Sequence, residues 1–276
     1  MTAEIAGPAA RAPAASGAGR PWTTTGRSLA RRIAGVVIAV LIWQLVSLTG
    51  AIGSQALASA TGTAQAIASN AASLADAAVA TVEAWAVGIA IAVIAGVLLG
   101  TVTGRSHLAE AFTEVLVRMM RPLPSLALIP VAILVAGLGL KMTAGLVAFT
   151  AFWPVFINTR YGVRQVDNLV IDTARTLGFR GPGLVCRVIL PAAAPLAASG
   201  IQVAVSLALV VTVSVELVGG TGGIGSFVLR AQQSDAVPAM YAGIVVGGFI
   251  GWVLNAGYGA AVRRLLPWGD RTEVSA

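Results

Sequence analysis

The sequence predicts an all-α polytopic membrane protein with about six transmembrane helices, and three observations carry that reading. Of its 276 residues, 57% are hydrophobic and 11% charged, at a mean hydropathy of +0.86. Soluble domains carry about 25% charged residues, so most of this chain has no aqueous surface to cover. Six segments approach the run of about 20 apolar residues that a membrane helix needs: 33–50, 82–102, 123–140, 142–159, 194–218 and 239–262. Sixteen of the 18 Lys and Arg residues fall in alternate connections between those segments.

Residues 1–30 precede the first span, and their Ala, Pro, Gly, Ser and Thr without apolar period describe a disordered tail. A cleaved signal peptide is the competing reading, with Arg31-Arg32 as its charged region. The run from Ile33 to Leu48 is longer than the usual signal core, and Ala58-Ser59-Ala60 is a remote cleavage site. Residues 53–78 are rich in Ala, Ser and Thr and are expected at the outer surface. The third span opens on Arg121-Pro122-Leu123-Pro124 and contains Pro130, so neighbouring helices or water must satisfy freed carbonyls. The fourth is short and holds Pro154; it is expected to tilt, kink or stop part-way. The transmembrane domain covers 31–268, leaving 269–276 as a short tail.

Orientation follows from the basic residues. With the N-terminus inside, the inner segments are 1–32, 103–122, 160–193 and 263–276, and only Lys141 and Arg230 lie outside them. Cytoplasmic connections collect Lys and Arg because translocating them is disfavoured. Both termini are then cytoplasmic. Within the second inner segment, Phe112, Val115, Leu116 and Met119 recur at helical spacing, and Glu114 stands four residues before Arg118. Residues 107–121 therefore read as an amphipathic helix on the inner membrane face.

Several functions drop out by counting. The net charge of +7 and pI near 11.0 could suit nucleic acid, but the basic residues sit between apolar blocks, and no nucleic-acid partner is expected. His107 is the only histidine and Cys186 the only cysteine, so neither a thiolate nor a histidine metal cluster has its residues, and a Ser/His relay finds little support. Lys141 is the only lysine, in GLGLKMT, without the Ser or Thr a phosphate-cradling loop requires. If ATP drives this protein, another polypeptide binds it.

The polar interlude Asp167–Pro191, with Arg175, Arg180 and Arg187, is longer than a turn between spans requires. Asp167 or Asn168 can cap a short helix whose Val170, Ala174 and Leu177 share one face, and Gly178 can end it in the left-handed conformation. Gly181-Pro182-Gly183 then turns into a second helix that Pro191 is expected to stop. The product is a rigid protruding knuckle on which a partner can dock.

These residues resemble the EAA signature of permease subunits in ATP-binding-cassette importers, Glu-Ala-Ala-x3-Gly-x9-Ile-x-Leu-Pro. Here it stands as Asp172-Thr173-Ala174, Gly178 and Val188-Ile189-Leu190-Pro191, with the spacing kept and Asp, Thr and Val as departures. The resemblance runs from about Trp43 to Trp268. RPLPSLALIPVAILVAGLGL, VTVSVELVGGTGGIGSFVLRAQQSDAV and the closing RRLLPW look like the nitrate/sulfonate/taurine branch.

The resemblance implies a type I ABC importer permease fold in a bacterial inner membrane. It also implies a second permease subunit, most simply an identical one, two cytoplasmic ABC ATPase subunits and an extracytoplasmic substrate-binding protein. ATP and Mg would be held by the ATPases, and this chain would bind no cofactor. The coupling loop, 165–191, carries the docking role at Asp172, Thr173, Ala174, Gly178, Leu190 and Pro191. Sulfonates, taurine or nitrate are the implied cargo, with a pyrimidine vitamin precursor as another. An ATPase-independent secondary transporter and a membrane-embedded enzyme are the rival classes. The first should show midplane charges or an inverted repeat, the second closely spaced carboxylates inside the membrane, and neither is evident.

Along the path, Glu216 stands near the outer end of the fifth span, where an ionisable group is costly. It can face the cavity, pair with Arg230, meet the binding protein, or simply reach water at the interface. Gln202, Thr212 and Ser214 can line the path or bond between helices. Gly219-Gly220-Thr221-Gly222-Gly223-Ile224-Gly225 lacks the strand setting of a nucleotide loop and reads as a tight turn.

Overall fold

The structure, a computed structural model, describes residues 25–50, 56–105, 113, 115, 117–120, 124–219 and 222–267. The described residues form helices and connections without strands. In chain order the helices are α1 (Thr25–Leu48), α2 (Ala60–Ser69), α3 (Ala71–Gly104), α4 (Ile129–Ala136), α5 (Leu140–Arg164), α6 (Asn168–Thr176), α7 (Gly181–Gly219), α8 (Gly223–Gln233) and α9 (Val237–Leu265). A 3-10 turn, Ser125–Leu128, leads into α4, and α7 contains a π-helical stretch, Val185–Ile189.

The centre is a close pair, α3 and α5. A Cβ on Gly88 would lie 2.5 Å from the Val147 side chain, and one on Gly96 2.8 Å from Val155. On Gly100 it would lie 2.9 Å from the Phe156 carbonyl, and on Gly104 2.9 Å from Val163. Only glycine lets the two backbones approach so closely, which matters in lipid, where association rests on packing rather than on water exclusion. Both residue numbers rise together along the contact, so α3 and α5 run parallel. Across the other side of α5, Gly162 meets Ala193 and Gly200 meets Pro154 and Asn158, so α7 runs antiparallel to it.

Parallel α3 and α5 require the chain between them to return to its starting end. Besides the helical positions within 113–120, the four-residue 3-10 turn and eight-residue α4 are the described helix available for the return. The turn and α4 together rise about 20 Å against a hydrocarbon layer of about 30 Å. The expected third span is therefore the short one, and the expected short fourth span is not. Gly137 (φ 69°) and Gly139 (φ 125°) end α4 after Ala136, whereas the 25-residue α5 passes through Pro154 unbroken. Helices α3, α5, α7 and α9 are long and apolar enough to cross a membrane, while Ile33–Leu48 and Ser125–Ala136 are shorter apolar stretches.

Residues 53–78, expected as outer-surface chain, are largely helical where described. Ser59 accepts the Gly62 N–H at 3.0 Å and starts α2, and Asn70 separates α2 from the first turns of α3. Ala66, Leu74 and Ala77 are buried there with Ile224 and Phe227 of α8 and Ala242 of α9, and Thr63 is buried as well. Helix α1 is largely exposed, and Trp43 fastens it by donating to the Ala58 carbonyl at 3.0 Å and resting on Tyr241. In the 107–121 segment, the helical Val115 and Met119 are exposed. Phe112, Glu114 and Leu116, with the expected Glu114–Arg118 pair, lie outside the described residues.

The arginines sort by end. Arg105, Arg160, Arg164, Arg175, Arg180, Arg187, Arg263 and Arg264 gather where α3, α5 and α9 finish and α7 begins. Lys141 and Arg230 belong to the opposite end.

Candidate functional site

At the arginine-rich end the chain folds back as a small packed module. Asp167 accepts the Leu169 N–H at 2.9 Å and caps α6, as its side chain suggested. Gly178, at φ 92°, closes α6. Its N–H donates to Arg175 O and the Phe179 N–H to Ala174 O, both at 3.0 Å, the paired bonds of a Schellman ending. No atom lies within 4 Å of a Cβ built on Gly178, so glycine is required there for its backbone angle alone. Val163, Ile171, Ala174, Leu184, Ile189 and Ala193 form the module's own buried core, with Phe179 packed against it.

Pro191 does not stop the second helix, which continues to Gly219. A proline ring collides with the carbonyl four residues earlier. The π-helical turn relieves this: Leu190 N–H reaches back five residues to Val185 O, widening the helix just before the proline.

The expected docking face is an open apolar groove of about 400 Å³. Leu169 (72% exposed) and Leu177 (74%) stand on its rim with Val170, Thr173, Phe179 and Val188, and buried Ala174 forms the floor. The six coupling residues thus divide. Thr173 and Ala174 border the groove, and Gly178 sets the turn beside it. Asp172 is not in the lining and pairs with Arg175 at 3.0 Å. Leu190 faces an apolar crevice between α3, α5, α7 and α9, and Pro191 is on the exposed surface of α7.

The opposite end holds a closed knot. Glu216 is 2% exposed and makes no ion pair with Arg230. Its Oε2 accepts the Thr81 hydroxyl at 3.0 Å and the Gly225 N–H at 2.9 Å, and Thr81 Oγ1 accepts the Ile224 N–H at 2.8 Å. Ser226 Oγ donates to the Glu216 carbonyl at 2.9 Å. The carboxylate therefore sits at the start of α8, where unpaired N–H groups attract negative charge, and ties α8 to α3 and α7. It neither reaches water nor faces an open space. A Cβ on Gly223 would overlap that carboxylate, and one on Gly225 would overlap Val213 O. Sequence reading missed Thr81, Ser226 and this use of the glycines; a carboxylate followed closely by small residues was the available signal.

The Thr212 and Ser214 hydroxyls do not bond across helices; they donate to Ala208 O and Val210 O of α7, each at 2.8 Å. Gln202 is exposed and borders a cavity of about 670 Å³ at the arginine-rich end, with Gln165, Asp167, Ser199 and Arg263.

Residues 92–268 match the family model of the binding-protein-dependent transport system inner membrane component. The chain belongs to this family. The permease is 33% identical over 178 residues to SsuC of Bacillus subtilis (strain 168), named for aliphatic sulfonate transport, covering 64% of each chain. It is 30% identical over 188 residues to the nitrate import permease protein NrtB of Leptolyngbya laminosa, covering 68% of the permease and 67% of NrtB. Among solved structures it is similar in fold to the inward-facing MetNI methionine ABC transporter, at TM-score 0.55 and 18% identity, over 70% of the permease and 94% of that chain.

Proposed function

We infer that this chain is the membrane subunit of an ATP-driven, binding-protein-dependent importer of small anions such as alkanesulfonates, taurine or nitrate. The observation that carries the reading is the α6 groove, which leaves large apolar side chains exposed on a rigidly packed module. Exposed apolar rims of that kind mark partner surfaces. A separate ABC ATPase subunit binds there, supplies ATP and Mg, and pushes on α6; this chain hydrolyses nothing itself. Residues 165–191 and both termini are cytoplasmic, in keeping with the arginines gathered at one end. Residues 31–268 form the transmembrane domain, which pairs with a second, identical copy.

The packed module suits levering because force on α6 passes through Ile171 and Ala174 into the starts and ends of α5 and α7. Gln202 and Arg263 border the inner mouth of the path, where a guanidinium suits a departing anion. The substrate class rests on what SsuC and NrtB are named for. An extracytoplasmic binding protein delivers the cargo to the end that carries α8.

Uptake into proteoliposomes decides the matter. With its ATPase and binding protein, the chain should accumulate labelled sulfonate, taurine or nitrate only when ATP is hydrolysed. Ion-driven flux by the chain alone would refute the reading.

A further inference from the structure

Beside the α6 groove, and sharing no residue with it, is a second cavity of about 560 Å³. Arg105, Arg175 and Arg180 line it from the end of α3, from α6 and from the turn before α7, over an apolar wall of Leu184, Val185 and Ile189. Among the described residues no carboxylate belongs to the lining; Asp172 lies 3.0 Å from the exposed Arg175. Three guanidiniums around one space suit a phosphate oxyanion.

The approach to the cavity says which kind. On α3, Ile91, Ile94, Leu98 and Val102 are 50–66% exposed. Their spacing of three and four residues places them on one stripe, and the next position of that stripe is Arg105. In a membrane helix an exposed apolar stripe faces acyl chains, and this one runs directly to the arginines. A free phosphate would use the cationic end alone, whereas a phospholipid would use both.

We propose that Arg105, Arg175 and Arg180 hold the phosphate of an anionic phospholipid whose acyl chain lies along the Ile91–Val102 stripe of α3. Basic pockets at the ends of membrane helices recognise such headgroups. The site lies at the root of the α6 module, so the lipid steadies the knuckle from the membrane side. The inference is independent of cargo and of ATPase docking.

Native mass spectrometry of the detergent-purified full chain tests it, with dioleoylphosphatidylglycerol and dioleoylphosphatidylcholine as probes. The first phosphatidylglycerol should bind at least about tenfold more tightly than phosphatidylcholine. Arg105→Gln with Arg180→Gln should abolish that preference, Arg105→Lys with Arg180→Lys should keep most of it, and Arg264→Gln should leave it unchanged. Unchanged thermal unfolding of the paired Gln variant ties the loss to the site rather than to misfolding; if that variant does not fold, the Lys pair and the wild-type preference still decide. Equal affinity for the two lipids, or a preference that survives the Gln pair, would overturn the proposal. Complete displacement of the lipid by millimolar inorganic phosphate would also overturn it, by showing a free oxyanion site.

Discussion

The α6 module and the Glu216 knot, at opposite ends of the helix bundle, treat their glycines and polar groups in opposite ways. At the arginine-rich end, Gly178 is surrounded by open space and serves only a left-handed turn, and Leu169 and Leu177 stand exposed beside it. At the opposite end, Gly223 and Gly225 are hemmed in by Glu216 and Val213, and every polar group of the Glu216–Thr81–Ser226 knot is turned inward. The α6 module is left open in the single chain, whereas the Glu216 knot is closed. The difference teaches where a partner is needed: a fold completes its own surfaces where it can, and an apolar rim left open on a rigid module is a surface that something else covers.

The same substitution at the two ends separates them most clearly. Gly225→Val should prevent recovery of folded protein, because its Cβ meets backbone as well as Glu216, an overpacking worth about 3 kcal/mol or more. Monodispersity after detergent extraction would check it. Thr81→Val should come next. It deprives the buried Glu216 carboxylate and the Ile224 N–H of partners at a cost of about 1–3 kcal/mol, seen as a lower thermal midpoint that Thr81→Ser largely restores.

Gly178→Val meets no neighbour, so it should cost only the left-handed strain of about 1–2 kcal/mol. Yet it should uncouple ATP hydrolysis from uptake, because the α6 ending is misaimed. Normal coupled transport in that variant would remove the mechanical role given to the turn. The smallest effect on stability belongs to Leu177→Ser, on an exposed side chain, within about 0.5 kcal/mol. Its consequence should instead be weaker capture of the ATPase subunit in a pull-down.

What the sequence disclosed and what it hid divide along the range of the interactions. The Asp167 cap and the Gly178 ending were legible because both depend on residues within a few positions of one another. The long apolar runs likewise announced α3, α7 and α9. Glu216 was noticed as a costly charge, but its partner Thr81 is 135 residues away and belongs to another helix. The third and fourth spans were misjudged because prolines were weighed and Gly137 and Gly139 were not. Pro154 sits in α5 without breaking it, while two positive-φ glycines end α4. Pro191 misled for a related reason: the π-helical turn that accommodates it leaves no mark in composition. The glycine stripe of α3 had a readable spacing, but nothing local says that α5 is what it faces.

The central claim is that a separate ATPase subunit grips the α6 knuckle, and site-directed cross-linking tests it most directly. With Cys186 replaced by Ser, a cysteine at Leu177 and another at Ser234 report on the two ends separately. The account predicts cross-linking to the ATPase from position 177, strengthened or weakened by ATP, and none from position 234. Cross-linking from 234 with none from 177 would contradict it.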